Sequence, residues 1–310
     1  MPLKTRLTER LGIDHPILSA PMAIAGGGKL AAAVSGAGGL GLIGGCYGDA
    51  DWIDGQFREA GNARIGCGFI TWSLAKNSAA LDAVLDREPA AIMLSFDDPA
   101  PFADKIRASG ATLICQVQSL ARAREAIAAG ADIIVAQGGE AGGHAASRAT
   151  LPLVPEVVDL CASEAPDTLV LAAGGIADGR GLAAALMLGA DGVLMGSRFW
   201  ATPEALVASG LQEAALNATG DATLQTSTVD IIRRKDWPEE FRIRVLHNRF
   251  IDRWQGNESA LRQAVDEEES AYQAALASGD ADNVGVIVGE SVGLIRDVRP
   301  ADDLVGDIVA

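Results

Sequence analysis

The sequence predicts a (β/α)8 TIM barrel carrying a small, mostly helical C-terminal cap, and three observations support this. Eight short apolar runs of strand length alternate with Ala- and Leu-rich stretches of helical length. The runs are nearly continuous in apolar residues, as strands buried on both faces of a parallel sheet require. Finally, Gly110-Ala111-Thr112, Gly130-Ala131-Asp132 and Gly189-Ala190-Asp191 repeat one joint, in which a left-handed glycine ends a helix just before a strand. An open doubly wound sheet shares this repeat and differs only in closure. Eight strands between Pro16 and about Pro203 fit a compact barrel.

In order, the strand segments are HPILSAPM (15–22), GLGLIGG (39–45), RIGCGFI (64–70), AIMLSF (91–96), TLICQV (112–117), DIIVAQG (132–138), TLVLAAGG (168–175) and DGVLMGS (191–197). Between them, SLARAREAIAAG (119–130) and GRGLAAALMLGA (179–190) place apolar residues at helical spacing with charges on the opposite face. Residues 36–41 match G-x-G-x-x-G but follow a helix and open a strand, the reverse of a dinucleotide fingerprint, so they are read as a loop. After Pro203 strand signals become sparse, a basic patch appears (IIRRKDWPEEFRIRVLHNRFIDRW), and a long acidic helical stretch follows. The expected division is a barrel over 1–203, with 284–310 packing back over its mouth, and a helical cap or substrate domain over 204–283.

Among the 310 residues, 25 Lys and Arg stand against 41 Asp and Glu, a net charge of −16, with 49% hydrophobic and 21% charged residues. That is a globular composition. Its acidity argues against nucleic acid or an anionic membrane surface as partner, and any anionic ligand needs local positive groups acting against the overall field. No signal-length or membrane-length apolar run appears, and Cys46, Cys67, Cys115 and Cys161 lie far apart without metal or disulfide spacing, so a cytoplasmic protein without disulfides or metal is expected.

In this fold the chemistry lies in the loops after the strand C-termini. After strands seven and eight, Gly174-Gly175 and Gly196-Ser197 offer open backbone N–H groups to an anion, the usual barrel phosphate site, with Ser197 and Arg198 as further donors. After strand six, AQGGEAGGHAASR places Gln137 at the strand end to offer an amide to a flat heterocycle. There Gly142 and Gly143 let backbone approach a ligand, and His144 faces the mouth as a general base or anion donor. After strand one, Pro21 and Met22 give a rigid edge with one apolar side chain, suited to an aromatic ring system or, equally, to the core. His15 lies at the barrel bottom, and His247 falls in the basic patch.

HPILSAPM, LAAAVSGAGGLG, GADIIVAQGGEAGGH, LAAGGIADGRG and GADGVLMGSRF, in this order, resemble the nitronate monooxygenase (2-nitropropane dioxygenase) family, with AQGxEAGGH the most specific element. Its fold is shared with NADH:quinone reductases and FMN-dependent enoyl-ACP reductases. The resemblance implies FMN, with His144 catalytic, Gln137, Gly142 and Gly143 on the flavin, and Gly174, Gly175, Gly196 and Ser197 on its phosphate. Met22, beside Pro21, is implied near the flavin, and Gln116 in strand five is a further implied contact. At the strand-three flavin position the family often has Asn where this chain has Gly68, leaving Thr71 as another source of that contact. The implied reaction oxidises alkyl nitronates with O2 to a carbonyl compound and nitrite. The alternative is NAD(P)H-dependent flavin reduction of a quinone or enoyl thioester, in which Arg233, Arg234, Lys235, Arg242 and Arg244 meet nucleotide phosphates; the plainer reading of those charges is a solvated helix face. A non-catalytic phosphate-binding barrel would carry no flavin. Expected partners are a small-molecule substrate and O2, with a homodimer left open.

Overall fold

A computed structural model describes residues 3–310. Its barrel strands are β1 (Ile17–Ser19), β2 (Leu42–Cys46), β3 (Gly66–Ile70), β4 (Ala91–Ser95), β5 (Thr112–Val117), β6 (Ile133–Gln137), β8 (Leu169–Ala173) and β9 (Gly192–Met195). Three further strands, β7 (Gly143–Ala145), β10 (Thr223–Thr226) and β11 (Arg242–Leu246), form a second sheet. The eight barrel strands pair in parallel in the order β1-β9-β8-β6-β5-β4-β3-β2, and a bridge from Leu18 to Leu40, just before β2, closes the ring. Each falls in one of the eight apolar runs, β2 extending one residue past its run to Cys46. The glycine joints are as expected, with φ of 84° at Gly110, 76° at Gly130 and 91° at Gly189.

Burial explains the unbroken apolar runs. Along β4, Ala91 and Met93 face the barrel interior with Leu18, Leu42, Ile114, Val135, Leu171 and Leu194. Ile92 and Leu94 face outward into the shell of helices. Leu7 and Leu11, from the helix Arg6–Leu11, join the inner cluster and plug the barrel floor.

The eighth barrel helix is supplied late in the chain. After β9 comes only the four-residue helix Ser197–Trp200 before the chain leaves for the cap. The helix Ala301–Val309 then packs between Gly28–Gly36 and Gly179–Met187, placing Ala301, Leu304, Val305 and Ile308 in the outer barrel core. The cap is thus an insertion between the last strand and the last helix. Its core gathers Trp200, Val229, Ile243, Val245, Phe250, Tyr272, Val284, Val286 and Val288.

The cap also contains strands that its sequence was not expected to hold. In the second sheet, β11 lies between β10 and β7, antiparallel to both, and Ile243 pairs with His144. The charges of Arg242 and Arg244 therefore alternate along a strand and do not form a helix face, while Ile243 and Val245 point into the cap core. Among the described residues, no helix is long and apolar enough to cross a membrane.

Leu304→Ala should cost about 2–5 kcal/mol, the usual range for truncating a buried leucine. Denaturant unfolding should show it as a lowered midpoint, with Met187→Ala, at an 87% exposed position, unchanged as the control.

Candidate active site

A cavity of about 1210 Å³, counting its open mouth, lies at the C-terminal ends of the barrel strands beneath the cap. Pro21, Met22, Gly68, Gln116, Gln137, Gly142, Gly143, His144, Gly174, Gly175, Gly196 and Ser197 all line it. Barrel geometry alone brings together these loops, which are far apart in sequence.

The glycines divide by what lies over them. A Cβ on Gly143, Gly175 or Gly196 would meet nothing nearer than 3.6 Å, so a side chain there would make ordinary contacts without crowding. Gly143 and Gly175 also hold φ of 78° and 74°, a region that other residues rarely adopt. Gly142 and Gly174 are also constrained by what packs on them, and Gly174 holds a φ of 102° besides. A Cβ at 142 would lie 2.6 Å from the Gly289 nitrogen, and one at 174 would lie 2.8 Å from Thr150 Oγ1. Gly68 likewise carries Pro21 on its face, with the ring Cγ 2.3 Å from where a Cβ would stand. No side chain at 68 can reach into the cavity, and Thr71, buried in the short helix Thr71–Leu74, does not line it.

The backbone N–H groups of Gly175, Ile176, Gly196 and Ser197 find no acceptor among the described residues. Uncommitted donors facing a cavity are an anion site in waiting. Ser197 Oγ accepts a hydrogen bond from the Gly289 N–H at 2.9 Å, so the C-terminal segment braces this loop while the hydroxyl hydrogen stays available. Arg198 points away from the site: it is buried, donates to the Ala201 and Asp297 carbonyls and pairs with the Asp297 carboxylate at 3.1 Å. Its expected role as a phosphate donor is not supported, because its fork is engaged in tying down the chain's return.

Gln137 is a brace more than a free amide. Its Oε1 accepts from Gln116 Nε2 at 3.1 Å and Gln118 Nε2 at 2.9 Å, and its Nε2 donates to the His144 carbonyl at 3.2 Å. Glu140, in the same loop, accepts from Thr150 N–H and Oγ1 at the start of the helix Thr150–Glu164. Arg244 donates to the Gly139 carbonyl at 2.9 Å and pairs with Glu290.

His144 is held from the cap. Its Nε2 lies 2.9 and 3.0 Å from the carboxylate oxygens of Asp230, and both side chains are nearly buried. The Trp237 ring stacks on the imidazole, with centroids 3.4 Å apart and planes 9° apart. Trp237 Nε1 donates to Tyr47 Oη at 3.0 Å, and Phe96 packs edge-on against Trp237 and Phe241. Burial holds the His144 pKa below its ordinary value, with the Arg233 charge helping, against the hydrogen bond and charge of Asp230. The imidazole is therefore neutral at neutral pH, with its one N–H on Asp230; the ring's hydrogen bonds among the described residues are made by Nε2, which leaves Nδ1 for a ligand. Sequence reading missed Asp230, Trp237, Tyr47 and Phe96; the one available signal was the Trp inside the basic patch.

Burial also pushes Cys46, which lines the cavity, up to about 12, so it stays a thiol. All four cysteines are free. His247 lies outside the cavity, paired with Asp252 at 3.0 Å.

The sequence profile of nitronate monooxygenase matches residues 4–64 and 69–310. The chain belongs to the nitronate monooxygenase family. A nitronate monooxygenase of Metarhizium robertsii, npaC, is 37% identical over 92% of this chain and 87% of its own. Two solved structures are similar to it throughout. FabK from Thermotoga maritima superposes with a TM-score of 0.86 at 32% identity, covering 99% of this chain and 95% of that one. A nitroalkane oxidase from Streptomyces ansochromogenes gives 0.81 at 26%, covering 98% and 96%. Membership in the nitronate monooxygenase family makes the chain an oxidoreductase.

In a histidine C2-proton NMR titration, His144 should titrate below the ordinary 6.5. Asp230→Asn removes a charge that raises this pKa, so the midpoint should fall further; equal midpoints in the two proteins would count against the pairing.

Proposed function

We propose that this chain oxidises alkyl nitronates with O2 to a carbonyl compound and nitrite, holding FMN in the cavity at the barrel mouth. The observation that carries the reading is the joining, in one cavity, of unpaired backbone N–H groups at one side with a neutral, carboxylate-oriented histidine at the other. The residues present suit FMN: the N–H groups of Gly175, Ile176, Gly196 and Ser197 would hold its phosphate, and Pro21, Met22 and Gln116 its ring system. Bound there, FMN supplies the electron acceptor.

The side chains of this chain set the proton chemistry. With its Nε2–H on Asp230, His144 presents an unprotonated Nδ1, placed to take the α-proton of a neutral nitroalkane. A nitronate arrives already deprotonated and needs no base. Trp237, Phe96 and Ile243 offer an apolar wall to the alkyl group and restrict water.

A second reading, NAD(P)H-dependent reduction of a quinone or enoyl thioester, is favoured by the likeness to FabK. Anaerobic mixing of the oxidised protein with a nitronate, NADH or NADPH separates the two by which reagent bleaches the flavin. Mass spectrometry of the released chromophore should give FMN; FAD, or no flavin, sinks the cofactor assignment.

His144→Ala should keep the flavin bound and lower turnover of a neutral nitroalkane by roughly 10²–10⁴-fold, the usual loss for a positioned acid–base group. Turnover of the preformed nitronate should fall much less. Equal and minor losses for both, read by stopped-flow flavin reduction, would remove His144 from the proton step.

A further inference from the structure

An anionic substrate in this cavity needs a donor that His144 does not provide. The imidazole's single N–H is directed at Asp230. The chain as a whole carries a net charge of −16 and repels anions. The cavity must therefore hold its own positive group.

Among the described residues, Arg233 is the only Lys or Arg that lines the cavity. It follows the helix Thr228–Ile232, which also carries Asp230, and its side chain is half-buried. Its guanidinium makes no hydrogen bond or ion pair within the described residues, in contrast to Arg234, Arg244 and Arg198. Arg234 pairs with Asp266 and Glu269, Arg244 with Glu290, and Arg198 with Asp297. A half-buried guanidinium with five N–H donors free of protein partners is available to a ligand in the cavity. It shares the cavity lining with Cys46, Tyr47, His144 and Trp237. The unpaired N–H groups come from other elements, the loops after β8 and β9.

Tyr47 adds a second donor. Its oxygen already accepts the Trp237 Nε1–H, its own hydrogen has no acceptor among the described residues, and burial pushes its pKa up to about 12, so the hydrogen stays on. Phe96, Trp237 and Ile243 line the same cavity and present carbon to whatever these donors hold.

We propose that Arg233, with the Tyr47 hydroxyl beside it, grips the planar two-oxygen anionic head of the substrate while Phe96, Trp237 and Ile243 receive its alkyl part. The identity of that head as a nitronate rests on the function proposed above. The subsite itself does not, since a carboxylate has the same planar O–X–O fork and matches a guanidinium in the same bidentate way.

The test is calorimetric titration of the flavin-loaded protein with butyrate, butyramide and inorganic phosphate. Butyrate should bind saturably, and butyramide at least tenfold more weakly. Arg233→Met should raise the butyrate Kd by roughly 10- to 100-fold, the scale of losing a charge-assisted pair, with butyramide unaffected. Arg233→Lys keeps the charge without the fork and should fall between; Tyr47→Phe should cost a few-fold. If Arg233→Met does not fold, the lysine and phenylalanine variants carry the test. The proposal is overturned if wild type does not bind butyrate, or if its Kd changes less than twofold in the Arg233 variants that fold. It is equally overturned if phosphate, and not butyrate, depends on Arg233, which would make the subsite a nucleotide's. In steady state, the same variants should raise KM for a nitronate more than they lower kcat. Failure of wild type to oxidise any nitronate would remove the proposed function but leave the butyrate result to decide the subsite.

Discussion

The hydrogen bond between His144 and Asp230 crosses the seam between barrel and cap, and most of the site is arranged around it. His144 comes from the loop after the sixth barrel strand, and Asp230 from a helix more than eighty residues later. Two further contacts fix their approach: β7 pairs with β11 through His144 and Ile243, and Gln137 takes the His144 carbonyl. A nearly buried carboxylate needs such a donor, because a buried polar group without a hydrogen-bond partner is costly. The same bond selects the tautomer, leaving Nδ1 for a ligand.

The eighth helix makes this arrangement possible. Because Ala301–Val309 completes the barrel only after the cap has been built, the cap is tethered at both ends to the barrel mouth. Its return segment lies directly on the site: Gly289 donates to Ser197, and Glu290 donates through its N–H to the Glu140 carbonyl. The loop after β9 and the loop after β6 are thus braced by one continuous stretch of chain. This rigidity suits a site whose polar groups must be oriented before a ligand arrives.

Charge is partitioned between the two sides. The glycine loops offer neutral N–H dipoles, which attract an anion without adding a net charge to be desolvated. Among the described residues that line the cavity, Arg233 is the one Lys or Arg, within a strongly acidic molecule. Around the rim, arginines are neutralised by neighbouring carboxylates, as Arg234 is by Asp266 and Glu269, and such exposed pairs add little stability.

The barrel was legible in the amino-acid sequence because its signals are local. Runs such as AIMLSF and TLICQV announce two buried faces, and the joints at Gly110, Gly130 and Gly189 announce where helices stop, whatever the rest of the chain does. The strand-end loops followed from the strands, so Pro21, Gln137, His144, Gly175 and Ser197 were within reach, whereas Tyr47 and Phe96, in the same loops, carried no signal that set them apart. The strand Arg242–Leu246 was also locally written, in the alternation of Arg242, Ile243, Arg244 and Val245, but its charges hid it. What remained belonged to tertiary structure. No spacing pairs Asp230 with His144 or lays Trp237 on its ring, because those contacts form only when the cap folds back across the barrel mouth. The engagement of Arg198 with Asp297 and the freedom of Arg233 were equally unreadable: in one dimension both are arginines, and only three-dimensional packing decides which of them finds a carboxylate.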